Sequence, residues 1–453
     1  MHDGNQTPLK RPTARPSALQ IVLRTLSRIA LAGFYRERSE IGAGAFPGTG
    51  PVIVAANHSN SLADGVVLMG MLPRIPQFLA ASSVWAYKPV VPFLNAARVI
   101  PIYRRHEVSD AAGRNDETFA AAGEALSKGS VLAIFPEGIS HNDPTLRTIK
   151  TGTARIAIQA QASHGPMALS IQPIGLIFEA KSRFRSRMLV RYGAPFEITA
   201  PAGDVEANAK ALTARIEKAL AAVTVSTATG DGARLEERAA DIASLPAPAL
   251  PLKPPFPRIV DARQTLRPVF EKKDGVAGLA REVTDYDAAL SAAGLRDRQV
   301  AASYPPAALG RYVLGSAGVL CLLLPAAIPG ALLNLLPYRI AKHLSRPRDL
   351  DKRATWSLFS SVLLFPLFWL VEAFVLVALW PTSVPLSGTA IVLGCLLLAP
   401  ITGYLALLFF DRLYEAGFVL RGWRWVRKNP SRADELRGAR NRILGMIAQI
   451  GAD

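Results

Sequence analysis

Apolar residues come in short runs in the first half of this chain and in long, almost uncharged runs in the second. Residues 51–56, 76–80, 131–135, 171–178 and 188–192 have strand length, are rich in Val, Ile and Leu, and are closed off by Gly, Pro or polar residues; they are predicted as buried strands. Between and around them, residues 66–72, 115–129, 150–160 and 204–223 have the length and spacing of helices. Residues 84–94 read as an apolar helix or ridge, either lining a groove or simply part of the core. Strands alternating with helices predict an α/β domain whose loops gather at the carboxyl edge of a sheet.

Residues 18–35 repeat at helical spacing, with Ile21, Val22, Leu26, Ile29, Ala30 and Leu31 apolar and Arg24 and Arg28 among them. That pattern fits a helix packed on the core, or one lying in a membrane interface with its arginines at the headgroups, and the interface is the preferred reading. The remaining divisions follow composition. Residues 1–17 are a basic, Pro-containing tail expected to be disordered, 18–225 the membrane-associated α/β domain, and 226–310 a linker and helical connector. Residues 311–412 hold apolar runs at 312–337, 354–380 and 386–410, each long enough to cross a hydrocarbon core of about 30 Å, and 413–453 form a basic C-terminal helix. Only Glu372 is charged within those runs, and helix packing is its expected role.

The basic segments 339–353 and 421–442 predict cytoplasmic loops, whereas 381–385 carries no charge. Three full crossings would put the α/β domain opposite both basic segments. A first run folded back as a hairpin at Pro325, Pro329, Gly330 and Pro337 removes the conflict and is the expectation.

The chemistry is concentrated in two strand-end loops. His58 follows the 51–56 strand, and Asp64 lies about one helical turn further on. A carboxylate that fixes the tautomer of a His and stabilises its protonated form is the general-base pair of acyl transfer. The 131–135 strand leads directly into Pro136, Glu137, Gly138, Ile139, Ser140 and His141. Neither Ser59 nor Ser140 lies in a Gly-x-Ser-x-Gly elbow.

Four stretches in order, Asn57–His58 to Asp64, Arg98–Val99–Ile100–Pro101–Ile102–Tyr103–Arg104, Phe135–Pro136–Glu137–Gly138 and Ile171–Gln172–Pro173–Ile174–Gly175, resemble the motifs of the glycerolipid acyltransferases. That family includes the lysophosphatidate and glycerol-3-phosphate acyltransferases, and the resemblance covers roughly residues 20–220. Five residues separate His58 from Asp64 where four are commonest, and Ser140 stands where lysophosphatidate enzymes often have Arg. Both departures are closer to the glycerol-3-phosphate and dihydroxyacetone-phosphate branch.

The resemblance implies His58 as base, Asp64 as its orienting partner, and direct attack without an acyl-enzyme. It implies Arg98 as phosphate ligand, with Arg104 the second choice. Lys150 beside a helix N-terminus at Gly152 could supply a further countercharge. Glu137 either contacts the acceptor hydroxyls or braces the His58 loop. Ser140 is taken with this acceptor-side set, and backbone N–H groups near Gly65 or Gly138 are candidates for the oxyanion.

A net charge of +17 with half the residues hydrophobic suits a membrane surface and phosphorylated substrates. No zinc spacing, helix-turn-helix signature or aromatic-interleaved basic strand supports nucleic acid. Cys321 and Cys395, both inside apolar runs, support neither a disulfide framework nor a metal site and suggest a reducing compartment. No secretory signal is visible. The expectation is an α/β acyltransferase domain, with a mixed sheet flanked by helices, followed by an α-helical membrane domain. Its partners are a phospholipid membrane, an acyl thioester (acyl-CoA or acyl-carrier protein as co-substrate) and a phosphorylated glycerol, with no metal or bound cofactor. It would lie in the inner, cytoplasmic membrane and face the cytoplasm. A lysophosphatidate acyltransferase and an inactive lipid-binding scaffold are the alternatives.

Overall fold

The computed structural model describes residues 13–103, 111–143, 145–198, 204–225, 231–245, 248–271, 276–346, 349–381 and 386–450. Arg104 and residues 1–12 of the basic tail lie outside them. The chain forms two compact units: residues up to 226 together with 348–355, and the remainder.

In the first unit, helix α1 (Ala18–Phe34) opens with a capping box between Ser17 and Gln20, and runs into strand β1 (Tyr35–Ile41). Then come β2 (Val52–Ala56), α2 (Leu62–Met71), β3 (Pro76–Ala81), the short α3 (Val91–Ala96), β4 (Ile100–Ile102), α4 (Ala111–Ser127) and β5 (Val131–Ile134). The unit continues with α5 (Gly152–His164), β6 (Leu169–Phe178), β7 (Ser186–Tyr192), β8 (Phe196–Ile198) and α6 (Val205–Val223). The stretch read as one apolar helix over 84–94 is broken into two 3-10 turns, Ser82–Ala86 and Lys88–Val90, followed by α3; Pro89 and Pro92 deny it a continuous ladder.

The eight strands make one mixed sheet in the order β1-β7-β6-β2-β5-β3-β4, with β8 on β6. β2 is central and parallel to both neighbours, which explains why all five of its residues are buried and apolar. Ile53, Ala55, Leu132, Ile134, Leu169 and Ile171 pack with Ile156, Ala157, Ile216 and Leu220 into the main core under α5 and α6. Leu19, Ile21, Val22, Leu26 and Ile29 of α1 are exposed while Gln20 and Ser27 are buried, an inversion that suits an interface with lipid rather than water.

The second unit begins with α7 (Asp231–Ala243), α8 (Phe256–Glu271), α9 (Val276–Ala292) and α10 (Asp297–Ala301). Three long helices follow, α11 (Pro306–Ser345), α12 (Leu350–Leu379) and α13 (Gly388–Lys428), then α14 (Pro430–Ile450). Leu436 and Ile443 of α14 bury against Leu279, Val283 and Leu290 of α9, and Arg440 is paired with Asp297 at 2.8 Å. All three long helices are long and apolar enough to cross a membrane. Leu314, Leu322, Leu332, Leu363, Leu379 and Leu397 are exposed along them, as a lipid solvent would require.

The expected hairpin in the first apolar run is not formed. α11 is one helix of 40 residues through Pro325, Pro329 and Pro337. Each proline removes only one N–H from the ladder, and neighbouring helices can compensate for that in an apolar environment. α11 packs on α13 backbone to backbone: a Cβ on Gly330 would stand 2.1 Å from the Thr402 carbonyl oxygen. Next to that contact, Asn334 Nδ2 donates to the Gly330 carbonyl (2.8 Å), and Asn334 Oδ1 accepts from Trp369 Nε1 of α12 (2.9 Å).

Candidate active site

β2 and β5 are adjacent and parallel, so their carboxyl ends deliver His58 and Glu137 to the same edge of the sheet. Asn57 completes the edge of β2. Its side chain donates to the Leu176 carbonyl (3.0 Å) and accepts from the Leu176 N–H (2.7 Å), replacing a ladder rung that β2 no longer supplies.

His58 Nδ1 lies 3.0 Å from Asp64 Oδ2. Asp64 is fully buried, and the same oxygen accepts from the Ser59 N–H (2.8 Å) and the Asn60 N–H (2.7 Å). Asp64 Oδ2 is the acceptor for both amides and faces Nδ1, which leaves Nε2 as the ring nitrogen turned away from the pair. The imidazole stacks on Phe135 with ring centres 4.1 Å apart and remains partly open to solvent. Burial first, and the Asp64 charge second, push the Tyr35 phenol far above its ordinary value, so it stays neutral beside that carboxylate.

The second loop holds the first. Glu137 is buried; Oε1 accepts from the His58 N–H (2.7 Å), and Oε2 accepts from the Arg147 N–H (3.0 Å) and pairs with His141 Nε2. His141 Nδ1 accepts from the Asp143 N–H, so the proton is on Nε2, facing Glu137. The His141 N–H donates to the His58 carbonyl (3.2 Å), and Ser140 Oγ accepts from the Ser61 N–H (3.0 Å). Of the two roles open to Glu137, the geometry is that of a brace. Ser140 is likewise engaged with the loop.

Gly138 has φ +75, and its N–H donates to the Phe135 carbonyl at 3.0 Å, so that N–H closes a turn and is not offered to an oxyanion. A Cβ there would meet Lys150 Nζ at 2.8 Å, which puts the Lys150 amine directly over the motif. Arg98 is exposed, with φ +52, at the start of β4. Because β4 runs parallel to β3, and β3 to β5, its carboxyl end at Ile102 is the one on the His58 side. Arg98 therefore precedes the opposite, amino end of this three-residue strand. The structure brings together His58, Asp64, Glu137, Gly138, Ser140 and Lys150.

Residues 38–176, from β1 to near the end of β6, match the family model named Acyltransferase. The matched stretch holds His58, Asp64 and Glu137. The glycerol-3-phosphate O-acyltransferase 2 of Saccharomyces cerevisiae is 30% identical over 194 residues, covering 41% of this chain and 26% of that protein. The glycerol-3-phosphate O-acyltransferase 1 of the same yeast is 27% identical over 352 residues, covering 72% of this chain and 46% of that protein. The chain thus spans less than half the length of these curated relatives. Among solved structures, the 1-acyl-sn-glycerophosphate (LPA) acyltransferase PlsC from Thermotoga maritima aligns at 18% identity with a TM-score of 0.33, covering 44% of this chain and 80% of that one.

Within the matched residues, the sequence assigns no role to Asn57 or Phe135, which stand in the motifs, or to His141, three residues beyond the third motif. Their contacts are with backbone groups and ring faces more than 70 residues away in the case of Phe135 and Asn57, which no local pattern records.

Proposed function

We propose that the chain is a membrane-bound O-acyltransferase that moves a fatty acyl group from a thioester, acyl-CoA or acyl-carrier protein, to a hydroxyl of glycerol-3-phosphate. The observation that carries this reading is the His58–Asp64 pair at 3.0 Å, with Asp64 buried and the imidazole partly open. His58 Nε2 takes the proton of the acceptor hydroxyl as its oxygen bonds to the thioester carbonyl carbon. Collapse of that adduct breaks the C–S bond, and the imidazolium returns the proton to the departing thiolate. Asp64 holds the imidazole and stabilises its protonated form. Glu137, His141 and Ser140 keep the loop in place.

Lys150, over Gly138, supplies positive charge for the acceptor phosphate, with Arg98 and Arg104 as further candidates. The names of the yeast relatives favour glycerol-3-phosphate as acceptor over lysophosphatidate. The apolar helices and the exposed apolar side of α1 support attachment to a phospholipid membrane, and the basic segments favour a domain facing the cytoplasm.

The test offers glycerol-3-phosphate, dihydroxyacetone phosphate and lysophosphatidate separately to purified protein in detergent, with a labelled long-chain acyl-CoA. Transfer to glycerol-3-phosphate is expected, reduced about 10²–10⁴-fold in His58→Ala with unchanged thermal unfolding. Transfer to no acceptor, from acyl-CoA or from acyl-carrier protein, would favour a lipid-binding scaffold instead.

A further inference from the structure

The turn Asn60–Ala63 joins His58 to the helix that carries Asp64. Ser61 within it has φ +52 and ψ −135, a conformation that suits glycine and that a side chain adopts only under constraint. The Ala63 N–H donates back to the Asn60 carbonyl (3.1 Å), and the Asp64 N–H to the Ser61 carbonyl (3.1 Å). Ser140 holds one side of the turn through the Ser61 N–H.

The other side is held from far along the chain. Thr355, in the second turn of α12, is buried within the first unit. Its Oγ1 accepts from the Ala63 N–H at 3.0 Å and donates to the Asn60 carbonyl at 3.0 Å. One hydroxyl thus clamps both ends of the strained turn. Helix threonines ordinarily send that hydroxyl to the carbonyl four residues back; Thr355 instead satisfies a loop 295 residues away.

We propose that Thr355 is a positioning residue for the His58–Asp64 pair: it locks the Asn60–Ala63 turn so that Asp64 Oδ2 meets His58 Nδ1 and the two loop amides at once. The inference rests on the acyl-transfer reading of that pair.

The experiment uses the full chain in detergent and compares Thr355→Ser with Thr355→Ala, which differ from each other by the hydroxyl alone, with Thr355→Val as the near-isosteric control. Thr355→Ala and Thr355→Val are expected to lower kcat about 10- to 100-fold, with KM for donor and acceptor within about twofold, while Thr355→Ser keeps most of the wild-type kcat. Deuterium exchange of the 59–64 amides, followed by mass spectrometry, should rise about 5- to 10-fold in Thr355→Ala and stay near wild type in Thr355→Ser. Equal kcat in the Ser and Ala variants, or exchange that does not distinguish them, overturns the role of Thr355. A wild-type protein inactive on every acceptor instead overturns the acyl-transfer reading, and the exchange comparison still decides whether Thr355 holds the turn.

Discussion

Both oxygens of Glu137 are occupied by protein donors, which turns an ambiguous carboxylate into a specific expectation. Glu137→Gln would keep one acceptor oxygen and set an NH₂ group against the His58 N–H, or against the Arg147 N–H and His141. A buried donor facing a donor costs about 2–3 kcal/mol. The variant should therefore unfold at lower temperature and lose about 10- to 100-fold in kcat, with KM for the acceptor unchanged. A rise confined to acceptor KM would show that Glu137 touches substrate after all. His58 and Asp64 could be found in the sequence because a strand, a loop and a helix lie in one short segment around them. The choice between two roles for Glu137 could not be made there, since its partners at 58, 141 and 147 become neighbours only when two parallel strands align. Thr355 was out of reach for the same reason, more severely: nothing in an apolar helix marks one hydroxyl as belonging to a loop some 290 residues earlier.

Among the elements, the strands of the sheet centre were visible as apolar runs because burial on both faces dictates their composition. β1 was not. Its sequence, YRERSEI, alternates charge with partial burial and lies at the sheet edge, where charged side chains discourage further pairing. β4, three residues around a proline, is too short for any periodicity. In the second unit the prolines of α11 suggested a break, whereas the packing that matters is at Gly330. Close approach of two backbones at a small residue is how apolar helices associate without a hydrophobic driving force. Gly330→Leu should force α11 from α13 at Thr402 and cost about 1–3 kcal/mol, read as a lower thermal midpoint in detergent. Wild-type stability would mean that this contact does not hold the pair together.

At the scale of the whole molecule, the long helices carry an expectation about topology. α11 and α13 run antiparallel: Leu309 and Tyr312 pack with Val419, and Gly330 meets Thr402. α11 is unbroken and about 60 Å long, so the two helices cross an apolar layer together or not at all. In a chain with Cys321 and Cys395 replaced by serine, single cysteines at Ala308 and Arg432 should react with an impermeant maleimide from one side of a sealed vesicle, and those at Ser345 and Leu386 from the other. Labelling of Ala308 and Ser345 from the same side would break the pairing. A glycine that lets two backbones touch thereby ties one span to the other: whichever face the first end of α11 meets, the last turns of α13 meet it too.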